Sequence, residues 1–164
     1  MACPIFPIAH CLLPIALPSP RCRIAYTSGM KLLLVFLGGG LGSVLRYSTG
    51  LLIGRLTPPD AQTPHWLSMY PAATLIVNLI GCGLIGFAWG MLGKPEEGNE
   101  LLRVALIVGV LGGFTTFSSF GWETLDLMND GRVGTAMVYA FISVGVGVFA
   151  AWSGHGLGLA ISGN

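Results

Sequence analysis

Residues 109–120 read Gly109-Val110-Leu111-Gly112-Gly113-Phe114-Thr115-Thr116-Phe117-Ser118-Ser119-Phe120, in the middle of an apolar segment that runs from Leu101 to Met128. Such a segment can cross a bilayer as one helix, at about 1.5 Å per residue against a hydrocarbon core of about 30 Å. Its centre is poor helix chemistry. Each glycine costs roughly 1 kcal/mol relative to alanine, and the two β-branched threonines lose side-chain freedom against the preceding turn. We therefore expect a break or an unwound turn here. Unwinding releases carbonyl oxygens at membrane depth, which is tolerable only where they face a cavity or a ligand, and carbonyl with hydroxyl oxygens suits a hard cation such as Na⁺. A Gly-lined helix crossing, with threonine bonded to its own previous turn, would satisfy the same residues. The sequence leaves both readings open.

Three further apolar segments flank this one: Leu32 to Leu56, Pro71 to Leu92, and Val133 to about Leu159. The link 57–70 holds Pro58, Pro59, Asp60 and Pro64, and the link 93–100 holds Gly93, Lys94, Pro95, Glu96, Glu97 and Gly98. The last link is a tight Asn129-Asp130-Gly131-Arg132 turn. None of these has room for a second domain. We expect one all-α membrane domain over residues 30–164, with four transmembrane helices at about 32–56, 71–92, 101–128 and 133–159, the third broken near its centre.

Composition agrees. Of 164 residues 53% are hydrophobic and 9% charged, where a soluble domain carries about 25% charged residues. The 25 glycines lie inside apolar runs, as close helix packing in a bilayer requires. A net charge of +1 leaves no basic surface, so nucleic acid is excluded as a partner. His10, His65 and His155 are scattered, Cys3, Cys11 and Cys22 fall in the first 29 residues, and Cys82 stands alone as a small packing residue. No Walker-type loop, nucleophile elbow or HExxH motif occurs. Nothing here argues for an enzyme.

Residues 1–29 read differently, because five of the ten prolines (Pro4, Pro7, Pro14, Pro18, Pro20) interrupt them. We expect a Pro-rich N-terminal extension, disordered or the product of a misassigned start, that does not cross the membrane. As a secretory signal it lacks a positive charge ahead of its apolar part. Met30-Lys31 followed at once by Leu-Leu-Leu-Val-Phe-Leu makes a natural beginning. N-terminal sequencing of the purified protein checks this expectation; intact residues 1–29 would defeat it.

An even helix count puts both ends of the domain on one side of the membrane. Lys31, Lys94 and Arg103 flank that side and Arg55 and Arg132 the other, a near tie that lets the chain insert either way. Two copies of opposite orientation could then pair through a two-fold axis in the membrane plane, an antiparallel dual-topology homodimer. A single orientation fixed by other factors is the competing reading, and Arg21 and Arg23 would tip the count.

Polar groups sit on ridges of small residues at four-residue spacing. The first helix has Gly38, Gly42, Arg46, Gly50 and Gly54; a guanidinium at bilayer depth must face protein, carbonyls or water, as an anchor or as a charge that attracts an anion. The second has Thr74, Asn78, Cys82, Gly86 and Gly90. The carboxamide of Asn78 offers two N–H donors, to a dehydrated anion or to a neighbouring helix. Phe117 and Phe120 share a face that Glu123 extends, and phenyl edges can touch an anion without trapping it, although such pairs usually just pack. On the fourth helix Thr135, Tyr139, Ser143, Gly147 and Ala151 place two hydroxyls, Tyr139 and Ser143, one turn apart. They read as a polar track or as satisfied bundle contacts.

With these residues in place the chain resembles the Fluc (CrcB) fluoride channels from Met30 onward. The resemblance rests on GGGLGSVLRY in the first helix, LIVNLIG around Asn78 and, most specifically, GFTTFSSFGWE in the third. It implies antiparallel dual-topology homodimers in the cell (inner) membrane, multi-pass and surrounded by lipid, with a structural, untransported Na⁺ at the dimer centre and two fluoride pathways beside it. By position, the backbone oxygens of Gly112 and Thr115 are the implied Na⁺ ligands. Asn78, Phe117, Phe120, Tyr139 and Ser143 are the implied fluoride path, with Arg46, Thr74, Thr116 and Glu123 as supporting positions. Gly147 departs from the pattern, which continues the track with a small hydroxyl. The function implied is passive, selective export of F⁻ across the plasma membrane. Two other readings stand beside it: a small dual-topology multidrug or cation exporter, which would want a carboxylate where this chain has Arg46, and a non-conducting membrane assembly subunit.

Overall fold

The described residues of the computed structural model are 20–56, 69–93 and 99–163, with side chains described from 28 and from 71 in the first two stretches. Residues 1–19 and the links 57–68 and 94–98 lie outside them, and with them most of the expectation for the N-terminal extension. Helix α1 spans Pro20–Leu56, so it begins well before Leu32. Proline at a first helical position loses nothing, because its missing N–H would be unpaired there anyway. Helix α2 spans Met69–Leu92. Helix α3 starts as an α turn at Glu100–Arg103, widens to π geometry over Val104–Leu111 and closes with an α turn at Gly112–Phe114. After an extended pair of residues, α4 spans Phe117–Asn129 and α5 spans Val133–Ser162.

Among the described residues, four stretches are long and apolar enough to cross a membrane: Ser28–Leu56, Pro71–Leu92, Glu100–Asn129 and Val133–Ser162. The third is the broken one. Little of the apolar surface of the described residues is buried within the chain itself. Phe36 is 76% exposed, Phe141 72% and Trp152 71%, values that lipid or a second protein surface must cover, since water would not tolerate them. Among the described residues, a small core joins Leu127 of α4 to Ala136 and Tyr139 of α5, with Leu75 and Phe120 packed against it.

Two glycine seams hold the helices together. Along α1, a Cβ on Gly38 would come within 2.8 Å of Ala105 O and one on Gly42 within 2.7 Å of Phe114 N, while Gly109 and Gly113 of α3 press back on Gly38 and Gly39. Between α2 and α5, a Cβ on Gly90 would lie 2.9 Å from Gly158 Cα, and one on Gly154 would lie 3.0 Å from Phe87 N. Close backbone approach of this kind supplies the packing that drives helix association where lipid removes the hydrophobic drive. The lower half of the α1 ridge behaves otherwise, because Gly50 has nothing within 4 Å.

The helix ends are tied with equal economy. Arg103 is buried, donates to Gly93 O and lies 3.9 Å over the Trp89 ring. Its charge is therefore spent on joining the end of α2 to the start of α3. Lys31 meets Glu100 at 2.6 Å. Between α4 and α5, Gly131 N–H donates to Met128 O and Arg132 N–H to Leu127 O, a Schellman closure that requires the positive φ of 74° at Gly131.

The seams make a direct expectation. Gly90→Val forces α2 and α5 apart and lowers stability by about 1–3 kcal/mol, the usual cost of overpacking. Gly145→Ala, where nothing lies within 4 Å, holds or raises it. Thermal unfolding in detergent measures both.

Candidate ion pathway

The third span breaks at Thr115 (φ −80°, ψ 157°) and Thr116 (φ −148°, ψ 120°), both extended. That region is open to any residue and favours β-branched ones. Within the stretch expected to unwind, Gly112 and Gly113 are themselves helical; the bareness of Gly113 serves the close approach to Gly39 of α1. What sustains the break comes from outside. Asn78 Nδ2 donates to Thr116 O at 3.0 Å, and Thr116 N–H donates to Asn78 Oδ1 at 2.9 Å. These two bonds fix which way the amide points.

With its N–H turned to Asn78, Thr116 no longer serves the carbonyl of Gly112 one turn back, as a continuous helix would require. The Thr115 carbonyl is also out of the ladder and accepts from Arg46 Nη1 at 3.2 Å. Arg46 is thus anchored on a backbone oxygen, the first of its two expected roles. Thr115 Oγ1 donates to Leu111 O at 3.0 Å, so a threonine bonded to its previous turn and a true break occur together. Thr116 Oγ1 then caps α4 by accepting from Ser119 N–H at 3.3 Å, and it meets both Ser118 Oγ and Ser119 Oγ at 3.2 Å.

A cavity of about 300 Å³ lies against this break, lined among others by Asn78, Cys82, Gly112, Thr115, Phe117, Phe120 and Ser143. Phe117 and Phe120 stand 5.6 Å apart at 44°, and Phe120 stands 5.3 Å from Tyr139 at 51°, so the rings are tilted rather than stacked flat. Ser143 Oγ is buried without a hydrogen-bond partner among the described residues. A Cβ on Gly147 would lie 3.4 Å from Cys82 Sγ, so the thiol occupies the direction a side chain at 147 would take.

A second cavity, of about 490 Å³, lies on the other side of Thr116 and is lined among others by Ser43, Arg46, Tyr47, Gly50, Thr74, Ser119 and Glu123. Glu123 accepts on both oxygens, from Thr74 Oγ1 at 2.6 Å and from Tyr139 OH at 2.7 Å. The expected pair of hydroxyls on α5 is thereby divided, because Tyr139 serves Glu123 while Ser143 faces the first cavity. Sequence reasoning left Ser43, Tyr47, Ser118, Ser119 and Gly81 unassigned. Ser118 and Ser119 sat inside the quoted motif, next to the cap they complete.

Asn78→Ala would leave the N–H of Thr116 without its partner. Each unsatisfied buried group costs about 1–3 kcal/mol, so a lower unfolding midpoint and fast hydrogen exchange at the Thr116 amide are the expected outcomes, read by calorimetry and exchange mass spectrometry in detergent.

Known proteins resemble this chain over most of its length. The family model described as CrcB-like protein, Camphor Resistance (CrcB), matches residues 33–155. The protein named fluoride-specific ion channel FluC in Thermus thermophilus is 45% identical over 134 residues, covering 81% of this chain and 98% of that protein. Proteins of the same name are 41% identical over 120 residues in Flavobacterium psychrophilum (73% of this chain, 90% of theirs) and 42% over 127 residues in Pseudomonas fluorescens (77% and 94%). On these matches the chain belongs to the CrcB/FluC fluoride channel family.

Proposed function

We propose that this protein is a fluoride-selective membrane channel that lets F⁻ leave the cell passively, so that fluoride entering as the weak acid HF does not accumulate. No bond is made or broken, and the chain is not an enzyme. The observation that carries the reading is the buried, unpartnered hydroxyl of Ser143 beside the broken span. A buried donor seeks an acceptor, and a small anion in the cavity supplies one.

Fluoride holds water strongly, so a conducting path must replace hydration with several moderate donors, each too weak to trap the ion. The first cavity offers the Ser143 hydroxyl, the second N–H of Asn78, the weakly donating thiol of Cys82 and the positive ring edges of Phe117 and Phe120. Arg46 lines the other cavity and is held on Thr115 O, which keeps a full positive charge off this path. Tyr139, tied to Glu123 and packed on Phe120, sets the aromatic wall and contributes its ring.

The subunit acts as half of an antiparallel homodimer. The apolar surface it leaves exposed supports this, as does the near tie of flanking charges, which the internal use of Arg103 evens further. The carbonyls freed at Gly112 and Thr115 are neutral oxygen donors near mid-membrane and fit a hard monovalent cation; Arg46 takes one lone pair of the Thr115 oxygen and leaves the other. Those two oxygens from each copy would hold the structural Na⁺, whose charge offsets carbonyls that face one another.

Reconstituted liposomes loaded with fluoride or chloride test the reading. F⁻ efflux is expected to exceed Cl⁻ efflux by about a hundredfold or more, with no cation flux. Phe117→Ala and Asn78→Ala should each slow F⁻ by about tenfold, the factor that some 1.4 kcal/mol of barrier carries. Equal F⁻ and Cl⁻ rates would refute the channel, cation flux would favour an exporter, and silence in all three ions a non-conducting subunit.

A further inference from the structure

Helix α2 meets the broken segment at two points one turn apart. Asn78 braces the backbone of Thr116, as described. Three residues on, Gly81 faces Thr115: a Cβ built there would collide with Thr115 Cγ2 and lie 3.6 Å from Phe114 Cδ1. Among the described glycines that would bring a Cβ within 3 Å of another atom, Gly81 is the one whose nearest neighbour is a side chain, and the others meet backbone. Gly81 is thus a socket for one methyl group.

That methyl cannot simply turn away. Thr115 Oγ1 donates to Leu111 O at 3.0 Å, and a β-branched side chain has few χ1 choices. Rotation that withdraws Cγ2 carries the hydroxyl off its acceptor. The Thr115 carbonyl is held at 3.2 Å by Arg46. The residue is therefore gripped at its methyl, its hydroxyl and its carbonyl by three different partners, and the chain leaves it directly for Thr116 and Phe117.

We propose that Gly81 is a positioning residue of the ion pathway: its missing side chain seats the Thr115 methyl and so fixes the Thr115 carbonyl and the course of the chain into the phenylalanine wall. This rests on the channel reading above. Side-chain conflict, unlike backbone conflict, can be relieved by trimming the partner. Thr115→Ser removes Cγ2 and keeps the hydroxyl.

A double-mutant cycle in liposomes tests this. Gly81→Ala is expected to cut F⁻ efflux by about tenfold or more and to lower the F⁻/Cl⁻ ratio, while in a Thr115→Ser background the same change costs less than about twofold and leaves the ratio where that background sets it. Gly86→Ala, which conflicts with the backbone of Ala151, should cost the same factor in both backgrounds. An equal loss from Gly81→Ala in both backgrounds, or an effect within twofold of the parent, overturns the proposal. If either single variant gives no flux or no protein, the cycle is read in monodisperse yield and unfolding midpoint, where recovery in the double variant upholds the socket and its absence overturns it. Recovered yield with flux still lost, in a Thr115→Ser background that conducts, overturns the positioning role. A parent protein that passes no F⁻ refutes the channel instead, and the stability cycle still decides the contact.

Discussion

A carboxamide is a peptide group carried on a side chain, and Asn78 uses it as one. By accepting from Thr116 N–H it replaces the ladder bond to Gly112 O that a helix would have made, and by donating to Thr116 O it adds a second bond to the carbonyl that opens α4. In lipid an unpaired backbone group costs several kcal/mol, so an interruption at mid-span exists only where a surrogate is offered. The freed carbonyls, the capped start of α4 and the placement of Phe117 and Phe120 all follow from that exchange.

The glycine seams explain why the surrogate reaches its target. Asn78 has a short side chain, so α2 must run close to the broken span. It is held there by its own seam with α5, by the Thr74–Glu123–Tyr139 bonds between α2, α4 and α5, and by Arg103 at the far end. The other seam, between α1 and α3, brings Arg46 within reach of Thr115 O. Each polar contact at the break thus depends on backbone approach several turns away. Such coupling makes the site rigid without a large buried core.

Much of this was legible in the sequence, and the remainder was hidden for a common reason. Length and apolarity give the four spans, and Asn129-Asp130-Gly131-Arg132 gives its turn, because these are local properties. The break was legible too, from the glycines and the β-branched threonines together; which of them would extend was not, and it is Thr115 and Thr116 that do while Gly112 and Gly113 stay helical. Four-residue spacing shows that Tyr139 and Ser143 share a face. It does not show which partner each meets, and Glu123 claims one and not the other. Likewise Arg103 counts as a flanking charge in the sequence and proves to be a buried clamp. The socket at Gly81 carries no local signal at all, since it is defined by a methyl on another helix.

Splitting one span into α3 and α4 has an electrical consequence. Each half keeps its own macrodipole, so the carbonyl pole of α3 and the amide pole of α4 end at the same depth, two residues apart in the chain. One interruption therefore offers a partial negative end toward Gly112 and a partial positive end toward Phe117. The interruption thus presents a partial charge of each sign without a single formal charge being contributed by the interrupted residues themselves.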